Sequence, residues 1–377
     1  MRVGVPAEIR PGERRVALVP DGVARLVKAG ADVIVESGAG TSAYVSDAAY
    51  EAAGATVVLG DAVRDADVVL GVRPLDPIQV ARSVSPGATT ISLLQPLIEL
   101  DSVVALRDRG ATVFSLDLLP RISRAQSMDA LSSQALVTGY RAALVAAQRL
   151  PRFFPLAMTA AGTVPPATVL VLGAGVAGLQ AIATARRLGA VVEAYDIRAA
   201  AAEEVRSLGA RFVELALETQ EGAGGYAREV GADFLERQRE LIGAHVAAAD
   251  AVITTAAIPG RPAPTLVTAD MVARMTPGSV IVDLAAESGG NCELSVAGED
   301  VWVGDVLVWG GKDVASSMPE HASRLYSRNV SELLLLMMKE GALTVDLDDE
   351  IVSSCCVVQS GQVRHAPTQE RLAERDA

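Results

Sequence analysis

From Val3 to Leu116, short apolar runs alternate with stretches of helical composition. Val3–Val5, Val33–Val35, Thr56–Leu59, Val68–Val72, Thr89–Leu94 and Thr112–Leu116 have the length and β-branched content of buried strands. Asp21–Lys28, Asp47–Ala53, Gln79–Val84 and Leu100–Arg109 lie between them and read as helices. Such alternation predicts a mostly parallel sheet with helices on its faces. A long helical pattern, Ser127–Leu150, follows and is stopped by Pro151. Further strand-like runs come at Val169–Leu172, Val191–Tyr195, Arg211–Val213, Ala251–Thr254, Val280–Leu284 and Val306–Val308. Ser317–Leu347 reads as a long helix, Ile351–Val358 as a last strand, and the charged residues from Gln369 to Ala377 as a frayed end. The expected fold class is α/β: two domains with parallel, doubly wound sheets. The second domain is drawn at 126–317, and the first at 1–125 completed by 318–377.

The second domain is assigned from one stretch. Val169-Leu170-Val171-Leu172 leads into Gly173-Ala174-Gly175-Val176-Ala177-Gly178; a helix-forming segment to Leu188 follows, then Val191–Tyr195 ending in Asp196. Strand, glycine turn, helix, strand and acid make up the full context of a Rossmann dinucleotide-binding domain. Gly173 permits the tight turn, Gly175 lets a pyrophosphate approach the backbone, and Gly178 lets the helix pack closely on the strand. The helix N-terminus offers unpaired N–H groups and a positive dipole end to phosphates. Asp196, eighteen residues past Gly178, can accept from both ribose hydroxyls and would repel a 2′-phosphate, which favours NAD(H) over NADP(H). Gly38-Ala39-Gly40-Thr41-Ser42-Ala43 also fits the glycine pattern after a strand, but neither a helix start nor a strand-terminal acid follows. It reads as a structural turn.

Composition narrows the classes. Hydrophobic residues make up 50% of the 377 and aromatics only 3%, so the cores are built from Ala, Val and Leu. A net charge of -13 argues against nucleic acid or an anionic membrane surface as partner. Basic residues are almost all Arg, with Lys at Lys28, Lys312 and Lys339 alone. Cys292, Cys355 and Cys356 are too few for a disulfide framework, and with His245, His321 and His365 they form no metal-ligand spacing. No metal site is expected. No signal peptide is evident, and the apolar run Leu333–Met338 is bracketed by Glu332 and Lys339. Nothing approaches the roughly 18–20 apolar residues of a membrane-spanning helix. The expectation is a soluble, cytoplasmic chain that meets a membrane only through another chain.

The densest polar stretch is Arg121-Ile122-Ser123-Arg124-Ala125-Gln126-Ser127-Met128-Asp129-Ala130-Leu131-Ser132-Ser133-Gln134. It follows the last strand of the first domain, where α/β sheets place ligands. Arg121, Gln126, Asp129 and Ser132 are spaced as a loop followed by one helical turn. Two readings stand: these groups converge on one ligand, or the stretch is a helix N-terminus with Ser127 as its cap and a solvated face. Glu218–Ala232, containing Glu221-Gly222-Ala223-Gly224-Gly225-Tyr226, is either an ordinary solvated loop or a mobile lid whose Tyr226 closes over bound nucleotide.

Pro120-Arg121-Ile122-Ser123-Arg124-Ala125-Gln126-Ser127-Met128-Asp129 resembles the NAD(H)-contacting loop in the soluble first domain of proton-translocating NAD(P) transhydrogenases. The likeness extends over Val5-Pro6-Ala7-Glu8 through Arg15-Val16-Ala17-Leu18-Val19-Pro20, the glycine motif, and Tyr226. It continues through Val282-Asp283-Leu284-Ala285-Ala286-Glu287 and Asp349-Glu350-Ile351-Val352, and so spans nearly the whole chain. The resemblance implies that Arg121, Gln126, Asp129 and Ser132 surround the nicotinamide, with Tyr226 on a mobile loop. It implies that Asp196 takes the adenosine ribose, with Val176, Ile197, Arg198, Gly225 and Ala256 nearby. It also implies a homodimer that works with an NADP(H)-binding subunit and a membrane-embedded proton-channel subunit, held peripherally at the cytoplasmic face of the inner membrane. The chain has one credible dinucleotide fingerprint, and its acid selects NAD(H); NADP(H) would then belong to the partner.

Alanine dehydrogenases share both folds and Arg15. Where they use a Lys and a His in the first domain, and an Asp after the strand at Val282-Asp283, this chain has Arg73, Gln95 and Glu287. Reducing a carbonyl or imine requires a proton donor at the heteroatom. Passing a hydride between two nicotinamides moves no proton at the reacting carbons, and positioning suffices. All three histidines lie beyond residue 240. The preferred reading is therefore the NAD(H)-binding subunit of a transhydrogenase. The alternatives are a free-standing, alanine-type NAD-dependent dehydrogenase and a non-catalytic NAD-sensing module gated by Tyr226. Two features depart from the family pattern: Gln95-Pro96, where an aromatic is common, and the Cys355-Cys356 pair.

Overall fold

The computed structural model describes residues 1–214, 232–257 and 260–376. They form two compact units, Met1–Gln134 with Ala315–Ala377, and Ala135–Val314. The first begins β1 (Arg2–Val5), α1 (Pro20–Lys28), β2 (Asp32–Glu36), α2 (Asp47–Ala52), β3 (Thr56–Val58), β4 (Val68–Leu70). It continues α3 (Pro77–Ser83), β5 (Thr89–Ser92), α4 (Leu100–Asp108) and β6 (Thr112–Ser115). A 3₁₀ turn over Ser123–Met128 then leads into α5 (Ala130–Arg149).

The second unit carries a hairpin of β7 (Ala157–Thr159) and β8 (Gly162–Val164), then β9 (Thr168–Leu172), α6 (Val176–Arg187) and β10 (Val191–Tyr195). After these come α7 (Ala201–Ser207), β11 (Arg211–Phe212), α8 (Ala232–Ala248), β12 (Ala251–Thr254) and α9 (Ala269–Ala273). The last strands are β13 (Val280–Asp283), β14 (Asp300–Val303) and β15 (Val306–Gly310). Among the described residues the sheet order is β11-β10-β9-β12-β13-β15-β14, parallel throughout except that β14 runs antiparallel to β15. The chain then returns to the first unit with α10 (Pro319–Leu336), a hairpin of β16 (Met338–Lys339) and β17 (Ala342–Leu343), and α11 (Glu350–Cys355). It closes with β18 (Cys356–Gln359), β19 (Gln362–Val363) and α12 (Ala366–Asp376). The first sheet has the order β19-β18-β6-β5-β4-β1-β2-β3: six parallel strands, then β18 antiparallel to β6 and β19 antiparallel to β18.

Both parallel sheets are thus doubly wound, reversing direction between their first and fourth strands. The central strands, such as β4, β9, β12 and β13, are apolar on both faces because helices cover both sides. In the first unit Val3, Val5, Val33, Val35, Leu70 and Phe114 are buried with Tyr326, Val330 and Leu333 of α10. Close approach of α1 to α10 depends on Gly22, where a Cβ would lie 2.3 Å from Ser327 Oγ. The buried hydroxyls of Ser323 and Ser327 meet the amides of Val16 and Val19 at 3.0 and 3.1 Å, so the segment entering α1 is satisfied by α10. In the second unit Val169, Val171, Ala194, Ile253 and Val282 pack under Ala181, Ile182 and Ala185 of α6.

Several elements differ from the sequence reading. The helix expected over Ser317–Leu347 ends at Leu336, because Glu340 and Gly341 take φ of 51° and 76° and fold the chain into the β16–β17 hairpin. The strand expected over Ile351–Val358 is a helix up to Cys355, because Asp349 accepts from the amides of Ile351 and Val352 and starts a turn there. The expected helix at Ser127 starts at Ala130. The last residues, read as frayed, form α12, anchored by Leu372. The β7–β8 hairpin and the antiparallel β14 have no clear signature in so short a run. Gly38–Ala43 is a turn ending in a 3₁₀ segment, Thr41–Ala43, and Gly40 is required there because a Cβ would meet the Tyr50 ring at 2.7 Å.

Candidate functional site

In the second unit, β9 and β12 flank the point where the winding reverses, and their carboxyl ends carry Gly173 and Thr255-Ala256. Gly173 takes φ of 99°, a conformation open to glycine, and a Cβ there would lie 2.7 Å from Thr255 Oγ1. Thr255 in turn donates to the Gly173 carbonyl at 3.0 Å. At Gly178 a Cβ would sit 1.9 Å from the same carbonyl, so this glycine lets α6 lie against the turn. Gly175 is different: no atom lies within 4 Å of where its Cβ would be. It is the N-cap of α6, which has no side-chain cap, and its outer face is open. A backbone cradle with bare first-turn amides and a side open to a bulky anion fits a dinucleotide pyrophosphate.

Asp196 follows β10 and is 9% exposed. Its carboxylate accepts from the Ala174 amide at 2.7 Å and the Arg198 amide at 2.8 Å. The Arg198 guanidinium donates to it at 3.0 and 3.1 Å and to the Ala174 carbonyl at 3.2 Å. The acid thereby braces the glycine turn. Ile197 is half-buried, and Val176 is exposed at the start of α6. Ala256 is set by Asn291, a fully buried residue the sequence reading passed over. Asn291 accepts from the Ala256 amide at 2.9 Å and donates to the Ala256 and Pro264 carbonyls, both at 2.8 Å. Its only sequence signal is an Asn after the pair Gly289-Gly290. Gly225 and Tyr226 lie outside the described residues.

In the first unit, the polar stretch leaves the carboxyl end of β6 and turns through the 3₁₀ segment into α5. Ser127 does not cap that helix. Asp129 does: its carboxylate accepts from the Ser132 amide at 2.9 Å and the Ser132 hydroxyl at 2.5 Å, so these two predicted residues are in direct contact. Arg121 and Gln126 are exposed on the same segment, whose Ala125 and Met128 are buried. Arg124 reaches Asp349 with two bonds of 2.6 and 3.0 Å, tying the segment to the cap of α11.

Beside this segment lies a charge cluster at the reversal point of the first sheet, between β1 and β4, with Glu13 and Arg15 buried and Glu8 and Arg73 half-buried. Glu8 accepts from the Val72 amide at 2.6 Å, and burial pushes its carboxyl up to about 7 against that bond. Glu13 is also buried, which raises its pKa, but the Arg15 guanidinium at 2.6 and 2.8 Å outweighs burial and holds it at about 2. Arg73 adds a bond to Glu13 at 3.1 Å, and Arg15 donates onward to Gln134 at 2.9 Å. Each of the three guanidinium nitrogens of Arg15 thus donates to a protein group. Gln95 takes φ of 52° and its amide donates to Asp117 at 2.9 Å. Among the described residues no group of three or more His, Cys, Asp or Glu could hold a metal, and no helix is long and apolar enough to cross a membrane.

Residues 4–138 match the family model described as alanine dehydrogenase/PNT, N-terminal domain, and residues 142–366 match alanine dehydrogenase/PNT, C-terminal domain. An NAD(P) transhydrogenase alpha-subunit chain of Rhodospirillum rubrum is 47% identical over 376 residues, covering 97% of this chain and 98% of that protein. Alanine dehydrogenase of Mycobacterium tuberculosis is 35% identical over 295 residues, 77% of this chain and 74% of that protein. Among solved structures, a transhydrogenase from Sinorhizobium meliloti has a TM-score of 0.88 at 44% identity, covering 97% of this chain and 100% of that one. An L-alanine dehydrogenase has a TM-score of 0.84 at 25% identity, with 99% of each chain covered. The fold is common to both groups, but sequence identity is higher, and over more of the chain, toward the transhydrogenases. The chain belongs to the alanine dehydrogenase/PNT family, on its NAD(P) transhydrogenase alpha-subunit side.

Proposed function

We propose that this chain is the NAD(H)-binding subunit of a proton-translocating transhydrogenase, passing hydride between the NADH it holds and NADP⁺ held by a partner subunit. Near full-length similarity to transhydrogenase alpha subunits carries this reading. NADH supplies the hydride when bound. The residues of this chain bind and orient it. The Gly173–Gly178 turn and the bare amides of α6 take the pyrophosphate, with Gly175 leaving room for it. Asp196 holds the adenosine ribose and disfavours a 2′-phosphate. Val176, Ile197, Arg198 and Ala256 line the same turn, and Gly225 and Tyr226 complete the nucleotide contacts. Arg121, Gln126, Asp129 and Ser132 orient the nicotinamide end; the Asp129–Ser132 contact makes that part of the frame rigid before a ligand arrives.

The first-unit segment contains guanidinium, amide, carboxylate and hydroxyl groups and no histidine. It is equipped for positioning, and hydride exchange between nicotinamides asks for no proton donor. The chain acts as a homodimer with an NADP(H)-binding subunit and a membrane-embedded proton-channel subunit, which holds it at the cytoplasmic face of the inner membrane. The test mixes the purified chain and NADH with an NADP(H)-binding transhydrogenase subunit and follows reduction of an NADP⁺ analogue. A parallel tube holds the chain, NADH, pyruvate and ammonium with no partner. Transfer in the first tube alone is expected. NADH oxidation in the second would replace this reading with an alanine-type dehydrogenase, and tight NADH binding without turnover in either would replace it with an NAD-sensing module.

A further inference from the structure

Asn329 on α10 is 7% exposed and commits both ends of its carboxamide to the junction where the polar segment enters α5. Its Nδ2 donates to the Ser127 carbonyl at 2.8 Å, and its Oδ1 accepts from the Ser133 hydroxyl at 2.7 Å. The orientation is fixed by chemistry, since a carbonyl can only accept and a flipped carboxamide would set oxygen against oxygen. Between the two anchors lie Met128, Asp129, Ala130, Leu131 and Ser132. Gln126 is the residue before the first anchor, and its carbonyl accepts from the Asp129 amide at 3.3 Å. A second side-chain tie from this segment to a distant element, Arg124 with Asp349, is at the surface, with Arg124 52% exposed, where ion pairs hold weakly. Asn329 is therefore a buried tie on a segment whose own turns supply much of its hydrogen bonding. The alternative, a packing role, leaves the match unexplained: an apolar side chain would fill the volume while stranding the Ser127 carbonyl.

We propose that Asn329 is a positioning residue for hydride transfer, setting Gln126, Asp129 and Ser132 through the Ser127 carbonyl and the Ser133 hydroxyl. The proposal rests on the transhydrogenase reading of that segment. The sharpest substitution is Asn329→Asp. It keeps the shape and the acceptor for Ser133, and replaces the donor to Ser127 with a carboxylate oxygen facing a carbonyl. Asn329→Leu, which fills the same space with no polar atom, is the second variant.

The experiment uses the full chain with an NADP(H)-binding transhydrogenase subunit. Wild type and both variants are compared for single-turnover hydride transfer at saturating NADH, for NADH Kd, and for amide hydrogen exchange. Transfer should slow by ~10–100-fold in Asn329→Asp, the range expected of misplacement at a reacting centre. NADH Kd should change by less than about twofold. Exchange should rise across Gln126–Ser133 and stay at wild-type values in β1, β2 and β4. Unchanged transfer in both variants overturns the proposal. So does a loss of exchange protection throughout the first unit, with melting temperature and rate falling together, which would mark Asn329 as a general structural residue. If wild type itself transfers no hydride, the functional reading fails; exchange at Gln126–Ser133, which needs neither partner nor substrate, then decides the clamp by itself.

Discussion

The Asp196 carboxylate reaches back to the amide of Ala174 at 2.7 Å, joining the end of β10 to the middle of the glycine turn. The acid that would select the cofactor also shapes the loop that would hold its phosphates. Asp196→Ala should therefore weaken NADH binding by roughly 10–100-fold, from lost charged hydrogen bonds of about 1.5–3 kcal/mol. It should also narrow the preference for NADH over NADPH, because Arg198 is then released from its pairing. Arg198→Ala, which leaves the Ala174 bond in place, should keep or sharpen that preference. Fluorescence titration with both nucleotides checks this, and an unchanged NADH-to-NADPH affinity ratio in Asp196→Ala would refute it.

Two glycines of one motif should separate binding from folding. At Gly178 an added Cβ meets the Gly173 carbonyl at 1.9 Å, so Gly178→Ala forces α6 off the turn. It should cost about 3 kcal/mol or more of stability. At Gly175 the added Cβ meets nothing within 4 Å, so Gly175→Ala should change stability by no more than about 1 kcal/mol. It fills the space assigned to the pyrophosphate, and NADH affinity should fall more than ~10-fold, about 1.4 kcal/mol. Thermal melts beside calorimetric titrations give both numbers; a Gly175→Ala protein that binds NADH normally would take the phosphate away from this turn.

Asp349 has two tasks, capping α11 through Ile351 and Val352 and accepting both bonds from Arg124. The Arg124 bonds are first among the causes that hold its carboxyl below the usual range. Asp349→Ala should cost about 1 kcal/mol, the value of a lost cap. Arg124→Ala removes the exposed partner alone and should cost less than Asp349→Ala in urea unfolding. The reverse order would mean that the tie, and not the cap, is what α11 depends on.

Sequence reading does well where the chain's own period decides the outcome. The central parallel strands are β-branched runs, and Val169–Leu172 with the glycine turn and α6 behind it illustrates how clearly the start of the next helix can be marked. It fails where a single cap or turn overrides that period, or where a distant residue decides. The Asp349 side chain converts Ile351–Cys355 from a plausible strand into a helix, and the left-handed turn at Glu340-Gly341 ends a pattern that continues apolar through Met338. The polar segment at Arg121–Ser132 is legible by its density, but its buried tie to Asn329 spans 202 positions of sequence. Asn291, Glu8 and Glu13 are likewise invisible, since an isolated polar residue shows its burial only once the fold surrounds it.

Glu8 and Glu13 should leave opposite signatures on stability. Burial holds the Glu8 carboxyl at about 7 in the folded chain, against 4.5 in the unfolded chain. Between those values the folded state keeps a proton the unfolded state has lost, so stability falls as pH rises from 4.5 to about 7. Glu13, held at about 2, gives stability that is present above 4.5 and is lost as pH falls toward 2. Glu8 is only partly covered by protein atoms, so its contribution is about 1–3 kcal/mol. Glu8→Gln keeps an acceptor for the Val72 amide and removes the titration. Relative to wild type, the variant should gain stability from pH 5 to pH 8 by that same amount, read from urea unfolding at several pH values. A constant difference between the two proteins across that window would mean that Glu8 stays ionised when folded, with Arg15 compensating both carboxylates of the cluster.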